Sequence, residues 1–118
     1  MSKKILICDD DEGILELLVL VLEDEGFEVI AEQNSLNIYK LIERERPDLI
    51  LLDMWMPVLS GDQILKTLKK NPETQDVPVI IISASTEGKR IADAAGANHF
   101  ISKPFDVDNL VNSISGLI

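Results

Sequence analysis

The side chains able to do chemistry fall into four short groups. They are the acids Asp9, Asp10, Asp11 and Glu12; a lone Asp53 that ends the apolar run LILLD; the hydroxyl of Ser83 after VIII; and Lys103 before Pro104. An apolar strand has little reason to finish on a charge unless that charge is used or neutralised nearby, so Asp53 needs neighbours. Three carboxylates about 4 Å apart repel by several kcal/mol at an effective dielectric near ~20 and require a cation between them. Oxygen donors without a His or Cys cluster suit a hard ion such as Mg²⁺, which accepts one or two carboxylates and keeps several waters. A carboxylate beside Mg²⁺, an ammonium and a hydroxyl is arranged to attack phosphorus and form an acyl phosphate. In that chemistry Asp53 is the nucleophile.

These groups meet only if the chain brings them to one edge. Short apolar runs at Ile5 to Cys8, Phe27 to Ala31, Leu49 to Leu52, Val79 to Ile82 and His99 to Ser102 read as strands, with helix-period segments between them. The central runs are continuously apolar, as strands covered on both faces require. The first helix starts after the acids and ends at Gly26, with Ile14, Leu17, Leu18, Val21 and Leu22 on its packing face. Leu15, Val19 and Leu20 are then surplus, because ILELLVLVL has eight apolar residues in nine. The second helix runs from an N-cap at Ser35 to Arg46, before Pro47; the third from Gly61 to Lys70, before Asn71-Pro72. The fourth spans Glu87 to Ala95 with Gly96 as its stop, and the fifth starts at Val107 behind the cap Asp106. Five βα units with right-handed crossovers form an α/β, doubly wound parallel sheet, and such sheets work at the carboxyl ends of their strands. Asp9 and Asp10, Asp53, Ser83 and Lys103 all follow strands there.

A chain of 118 residues is the size of one domain, burying roughly two thirds of its unfolded surface. Its 21 acids against 11 bases give a net charge of -10, which repels nucleic acid and anionic lipid. No apolar run approaches the roughly 20 residues of a membrane span, and MSKK leads straight into a strand without a cleavage site. A cytoplasmic protein without membrane insertion or direct nucleic-acid binding is expected, with no effector domain after Ile118. Cys8, the single cysteine, reads as a buried inert thiol.

The residues ILICDDDEGI, LILLDMWMPVLSGDQIL, VIIISAS and GANHFISKPF, in this order and spacing, resemble the receiver domain of two-component response regulators, chemotaxis-type single-domain regulators among them. The resemblance covers essentially the whole chain, 1–118. It implies a flavodoxin-like (βα)5 fold with strand order 2-1-3-4-5. It further implies that Asp53 accepts phosphate and that Asp10 ligates Mg²⁺ directly, with Asp9 assisting through water and the Trp55 carbonyl completing the protein ligands. Lys103 would pair with the phosphoryl group, Ser83 would be the switch hydroxyl, Phe100 the aromatic that turns, and Pro104 would follow a cis bond. The implied partners are a histidine kinase or histidine phosphotransfer protein and a downstream protein target on the helix four, strand five, helix five face, near Lys89 and Arg90. A homodimer of the active form stays open. The implied domain is a phosphoacceptor, not an enzyme acting on other substrates.

Two departures from the family pattern stand out. Trp55 occupies a position where smaller or more flexible residues are usual, beside the path of hydrolytic water, and the first helix is unusually apolar. The rival reading of ILICDDDEG is a haloacid-dehalogenase-type phosphatase, with Asp9 as nucleophile and Asp11 as acid/base, but no late acidic pair follows the fifth strand. A flavodoxin-like flavin protein would want a Ser/Thr/Gly-rich loop where four acids stand; a binding module keeping the fold without chemistry would lack site residues that are all present. Asp11 and Glu12 read as helix-capping acids, His99 as incidental, and Met54, Met56 and Pro57 as packing and loop geometry.

Overall fold

The computed structural model describes residues 2–118; Met1, where the MSKK expectation begins, lies outside the described residues. The elements are β1 (Lys4–Cys8), α1 (Glu12–Asp24), β2 (Glu28–Glu32), a 3-10 turn (Ser35–Asn37), α2 (Ile38–Glu45), β3 (Leu49–Asp53), α3 (Gly61–Lys70), β4 (Val79–Ser83), α4 (Thr86–Ala95), β5 (His99–Ser102) and α5 (Val107–Leu117). All strand pairs are parallel, in the order β2-β1-β3-β4-β5, so the expected doubly wound sheet is present. Strand order reverses at the β1/β3 junction, and the crevice beyond it is the place such sheets reserve for a ligand.

Alternation along each strand divides the core in two. Leu6, Cys8, Ile50, Leu52, Val79 and Ile81 pack with α2, α3 and α4, while Ile5, Ile7, Leu49, Leu51, Ile80 and Ile82 pack with α1 and α5. Every residue of β3 and β4 is buried, which is why those runs are apolar without a break. Each apolar side chain among them contributes about 1.5–3 kcal/mol by leaving water, and this two-sided burial locks the register.

Two local expectations are corrected. On α1 the buried positions are Leu15, Leu18 and Leu22, whereas Leu17 is 45% and Leu20 70% exposed. Leu15 therefore joins the packing face and Leu17 leaves it. With eight apolar residues in nine, periodicity cannot phase the helix; the phase follows from where Asp11, as N-cap, starts it, accepting from the Gly13 and Ile14 amides. Helix α2 begins later than expected, behind a 3-10 turn whose cap is Asn34, not Ser35. Asn34 accepts from the Leu36 amide at 3.0 Å, while the Ser35 hydroxyl turns away to Pro57. The helix ends at Arg46 in the left-handed region, ahead of Pro47. The caps of α4 and α5, Gly96 and Asp106, stand where expected, and no helix among the described residues is long and apolar enough to cross a membrane.

Candidate functional site

Register builds the site. Cys8 pairs with Leu52 across β1 and β3, which brings Asp9, one residue further on, level with Asp53. Across β4 and β5, Ser83 pairs with Ser102, and the Lys103 amide donates to the Ser83 carbonyl at 2.9 Å. The Lys103–Pro104 bond is cis, in keeping with the expectation for Pro104. The lysine side chain reaches past β4 to β3 and β1, where its ammonium donates to Asp53 Oδ1 at 2.9 Å and to Asp9 Oδ2 at 3.2 Å.

Both carboxylates are buried, Asp9 at 1% and Asp53 at 7% exposure. The other oxygen of Asp9 accepts from the Asp11 amide at 2.9 Å, so Asp9 is held from two sides. Asp10 is exposed, and one oxygen from each of Asp9, Asp10 and Asp53 lies within 4.8 Å of the others. Burial pushes the Asp53 carboxyl above its ordinary range, the Lys103 hydrogen bond pulls it back, and the charges of Asp9 and Asp10 push it up again. Burial alone would lower Lys103, but Asp53 and Asp9 outweigh it and hold the ammonium above its usual value. Three carboxylates facing one ammonium leave an excess of negative charge built of oxygen donors, which fits a hard divalent cation. Asp10 is the acid of this group that points to solvent, where a partly hydrated ion would enter.

The loop after Asp53 folds back on itself. The Gly61 amide donates to the Met54 carbonyl at 2.9 Å, and a Cβ at position 61 would fall 2.5 Å from the Asp53 carbonyl oxygen. Glycine is required for that approach. Met54 and Met56 are buried as packing, with Met56 Sδ 3.6 Å from Cys8 Sγ, and burial pushes the Cys8 thiol up to about 12. That thiol is inert, as expected. Trp55 stands two residues beyond Asp53 and is 53% exposed.

Ser83 is 1% exposed, and its hydroxyl accepts from the Ser85 amide at 3.0 Å. Phe100 is half-buried against the α2/α3/α4 core. A Cβ built on Gly88 of α4 would lie 2.8 Å from Ser83 Oγ and 3.2 Å from Phe100 Cε1, so hydroxyl and ring approach the same bare stretch of backbone. Lys89 and Arg90 are exposed on α4 and paired with Asp93 and Glu87; His99 is exposed at the start of β5, away from the acids. Asp11 spends its carboxylate on the α1 cap, which leaves it unsuited to the acid/base role of the phosphatase reading. Two residues were missed by sequence reasoning. Ser35 reads in the sequence only as a cap, although Asn34-Ser35 offers two candidates for one position, and Gly88 carries the signal of a glycine inside a helical pattern.

The model of the response regulator receiver domain family matches residues 5–115. The chain is 39% identical over 116 residues to sporulation initiation phosphotransferase F of Bacillus subtilis, covering 97% of this chain and 92% of that one. It is 34% identical over 120 residues to the phosphate regulon transcriptional regulatory protein PhoB of Pseudomonas aeruginosa, covering all of this chain but 52% of that one. It thus spans about half the length of PhoB. Among solved structures, chemotaxis response regulator CheY4 of Vibrio cholerae superposes with a TM-score of 0.92 at 25% identity, over the full length of both chains.

Proposed function

We propose, from the premise that this chain belongs to the response regulator receiver domain family, that its phosphoacceptor role is carried by Asp53, with Lys103, Asp9, Asp10, Trp55, Ser83 and Phe100 in the parts set out below. The observation that carries this reading is the Lys103 ammonium held between Asp53 and Asp9, at 2.9 and 3.2 Å, with Asp10 beside them. An Asp53 carboxylate oxygen attacks the phosphorus of a phosphohistidine on the donor. The P–O bond forms as the P–N bond breaks; the imidazole nitrogen leaves with the electron pair and takes a proton. Lys103 then pairs with phosphoryl oxygens in place of the carboxylate charge it neutralises beforehand. Asp9, Asp10, Asp53 and the Trp55 carbonyl would hold Mg²⁺, which when bound neutralises charge between the acids and the incoming phosphoryl group.

Ser83 turns its hydroxyl from the Ser85 amide toward the new phosphoryl oxygens, and the Phe100 ring, already beside Gly88, turns with it. The face formed by α4, β5 and α5 changes shape and is read by a protein target. The phosphodonor is a histidine kinase or a histidine phosphotransfer protein, a reading supported by similarity over nearly full length to a sporulation phosphotransferase. Residues 1–118 form one receiver domain that works in the cytoplasm and turns over only its own acyl phosphate. A net charge of -10 opposes direct nucleic-acid contact by this domain.

Incubation with acetyl phosphate and Mg²⁺, followed by peptide mass spectrometry, tests the assignment. One phosphoryl group on Asp53, lost in Asp53→Ala, is expected. Modification of Asp9, or undiminished labelling of Asp53→Ala, overturns it.

A further inference from the structure

The loop between Asp53 and α3 has at its apex a backbone conformation its side chain does not favour. Val58 has φ 70, in the left-handed region that β-branched residues avoid. The Leu59 amide donates to the Pro57 carbonyl at 2.8 Å, closing a three-residue turn around Val58 of the rare kind with positive φ. Such a conformation persists only when its surroundings impose it. Packing of the valine does not, because Val58 is 72% exposed. Gly61, the buried Met54 and Met56, and Leu59 packed on the core fix the flanks of the loop, but none of those side chains bonds to the Pro57 carbonyl.

Ser35 holds the apex. Its hydroxyl donates to the Pro57 carbonyl at 2.8 Å and accepts from the Leu59 amide at 3.4 Å. One hydroxyl therefore touches both ends of the strained turn, from a side chain that is 3% exposed. The segment presenting it is ordered by its own bonds. Glu32 accepts from the Asn34 amide at 2.8 Å and from the Asn37 side chain at 3.3 Å, and Asn34 caps Leu36. The β2–α2 connection is thus cross-linked by three local hydrogen bonds, and because the Ser35 hydroxyl is turned to Pro57, Asn34 and not Ser35 caps the turn.

We propose that Ser35 is a positioning residue for the phosphoacceptor loop: its hydroxyl clamps the Pro57–Leu59 turn and so holds the Trp55 backbone where a divalent ion beside Asp53 can use its carbonyl. The proposal rests on the metal reading of the Asp9, Asp10, Asp53 cluster given above. It also assigns Val58 a cost that Ser35 offsets, and that pairing makes it testable by rescue. Glycine at position 58 adopts positive φ freely, so a loop carrying it keeps its turn without the clamp.

The test uses Ser35→Ala, Val58→Gly and the double variant. Two quantities are measured: exchange of the Leu59 amide in metal-free protein by NMR, and Mg²⁺ half-saturation followed by fluorescence of Trp55, the single tryptophan. Ser35→Ala should speed Leu59 exchange and raise the Mg²⁺ half-saturation by roughly 3- to 10-fold, the worth of a lost hydrogen bond. Val58→Gly should bind Mg²⁺ within about twofold of the parent, and the double variant should recover most of the affinity lost in Ser35→Ala. Unchanged Leu59 exchange in Ser35→Ala, or a double variant as weak as Ser35→Ala, overturns the clamp. Should Ser35→Ala not fold, Val58→Gly is compared with the double variant, and a loss beyond about threefold between them is the refuting result. A parent protein that shows no Mg²⁺ response contradicts the metal reading instead, while Leu59 exchange still decides the clamp.

Discussion

Replacing Lys103 by methionine tests how the site is held together. The ammonium stands 2.9 Å from Asp53 and 3.2 Å from Asp9, with side-chain exposures of 18% for the lysine, 8% for Asp53 and 2% for Asp9. At an effective dielectric near 20, each contact is worth about 5 kcal/mol of gross attraction, most of it cancelled by the desolvation of three charges. Removing one partner is a different matter, since it leaves two buried carboxylates facing each other; breaking such pairs costs about 3–5 kcal/mol. The residual exposure of the ammonium lowers that to about 2–4 kcal/mol, or roughly 10 °C in the thermal midpoint of a domain this size.

The deficit should depend on pH with a definite sign. Lys103 is the contact that pulls Asp53 down against burial, so its loss raises the folded-state carboxyl further above the unfolded value of about 3.9. A folded state that binds protons more tightly than the unfolded state loses stability as pH rises through that window and regains it as pH falls. Urea unfolding in chelator should show the full deficit at pH 8 and a smaller one near pH 5, and Mg²⁺ should restore part of it by binding the folded state. A deficit under about 1 kcal/mol, or one equal at both pH values, would refute the idea that the ammonium compensates buried carboxylates. Adding Asp53→Asn should recover stability, because one of the stranded charges is then gone.

Trp55→Asn should shorten the life of the acyl phosphate, since the bulk beside the path of attacking water is removed; phosphate release no faster than the parent's would count against the indole as a shield. Asp10→Asn should raise the thermal midpoint in chelator by an amount equivalent to roughly 0.5–1 kcal/mol, because an exposed carboxylate near two others is repelled through water; a lower midpoint would mean the acids are not crowded. Gly88→Ala gains about 1 kcal/mol of helix propensity but sets a methyl 2.8 Å from Ser83 Oγ and 3.2 Å from Phe100 Cε1. A net loss of about 1–3 kcal/mol is expected in urea unfolding, and a stabilised variant would show that hydroxyl and ring give way freely.

The sheet and the groups at its edge were legible in the sequence because two signals coincide there, while the strand order came only with the family resemblance. Runs such as LILLD and VIIIS are apolar throughout, which marks strands buried on both faces, and the first polar residue after each run marks the crevice. Asp53 and Ser83 close their strands, Asp9 follows β1 directly, and Lys103 follows β5 directly. The bridge that Lys103 makes to both Asp53 and Asp9 was legible as company, not as geometry. Helix α1 was misphased at Leu15 and Leu17 because its run is apolar almost throughout. Periodicity needs polar residues to carry information, and Glu16 is the only one between Ile14 and Leu22.

The contacts around Ser35 and Gly88 were not legible, for a different reason. A one-residue slip of a strand sends every side chain to the wrong face, so the register is strongly specified wherever both faces are buried. Asp53, at the end of β3 and paired to Ile82, inherits that precision from the leucines behind it. Ser35 meets Pro57 across two connections, and nothing in either local sequence encodes the meeting. Its place follows only once β2 and β3 are set on either side of β1 and the loop has folded back at Gly61. The same difference ought to appear in the molecule's motions. Asp9 and Asp53 stand at the ends of the buried strands β1 and β3, and Lys103, which follows the less buried β5, is held by its bridge to both, whereas the Ser83 hydroxyl is engaged by the Ser85 amide through a single hydrogen bond, worth about 1 kcal/mol. The proposed acceptor chemistry, which needs fixed atoms, therefore stands on the sheet, and the hydroxyl proposed to move on phosphorylation is the one whose restraint a new anion can replace.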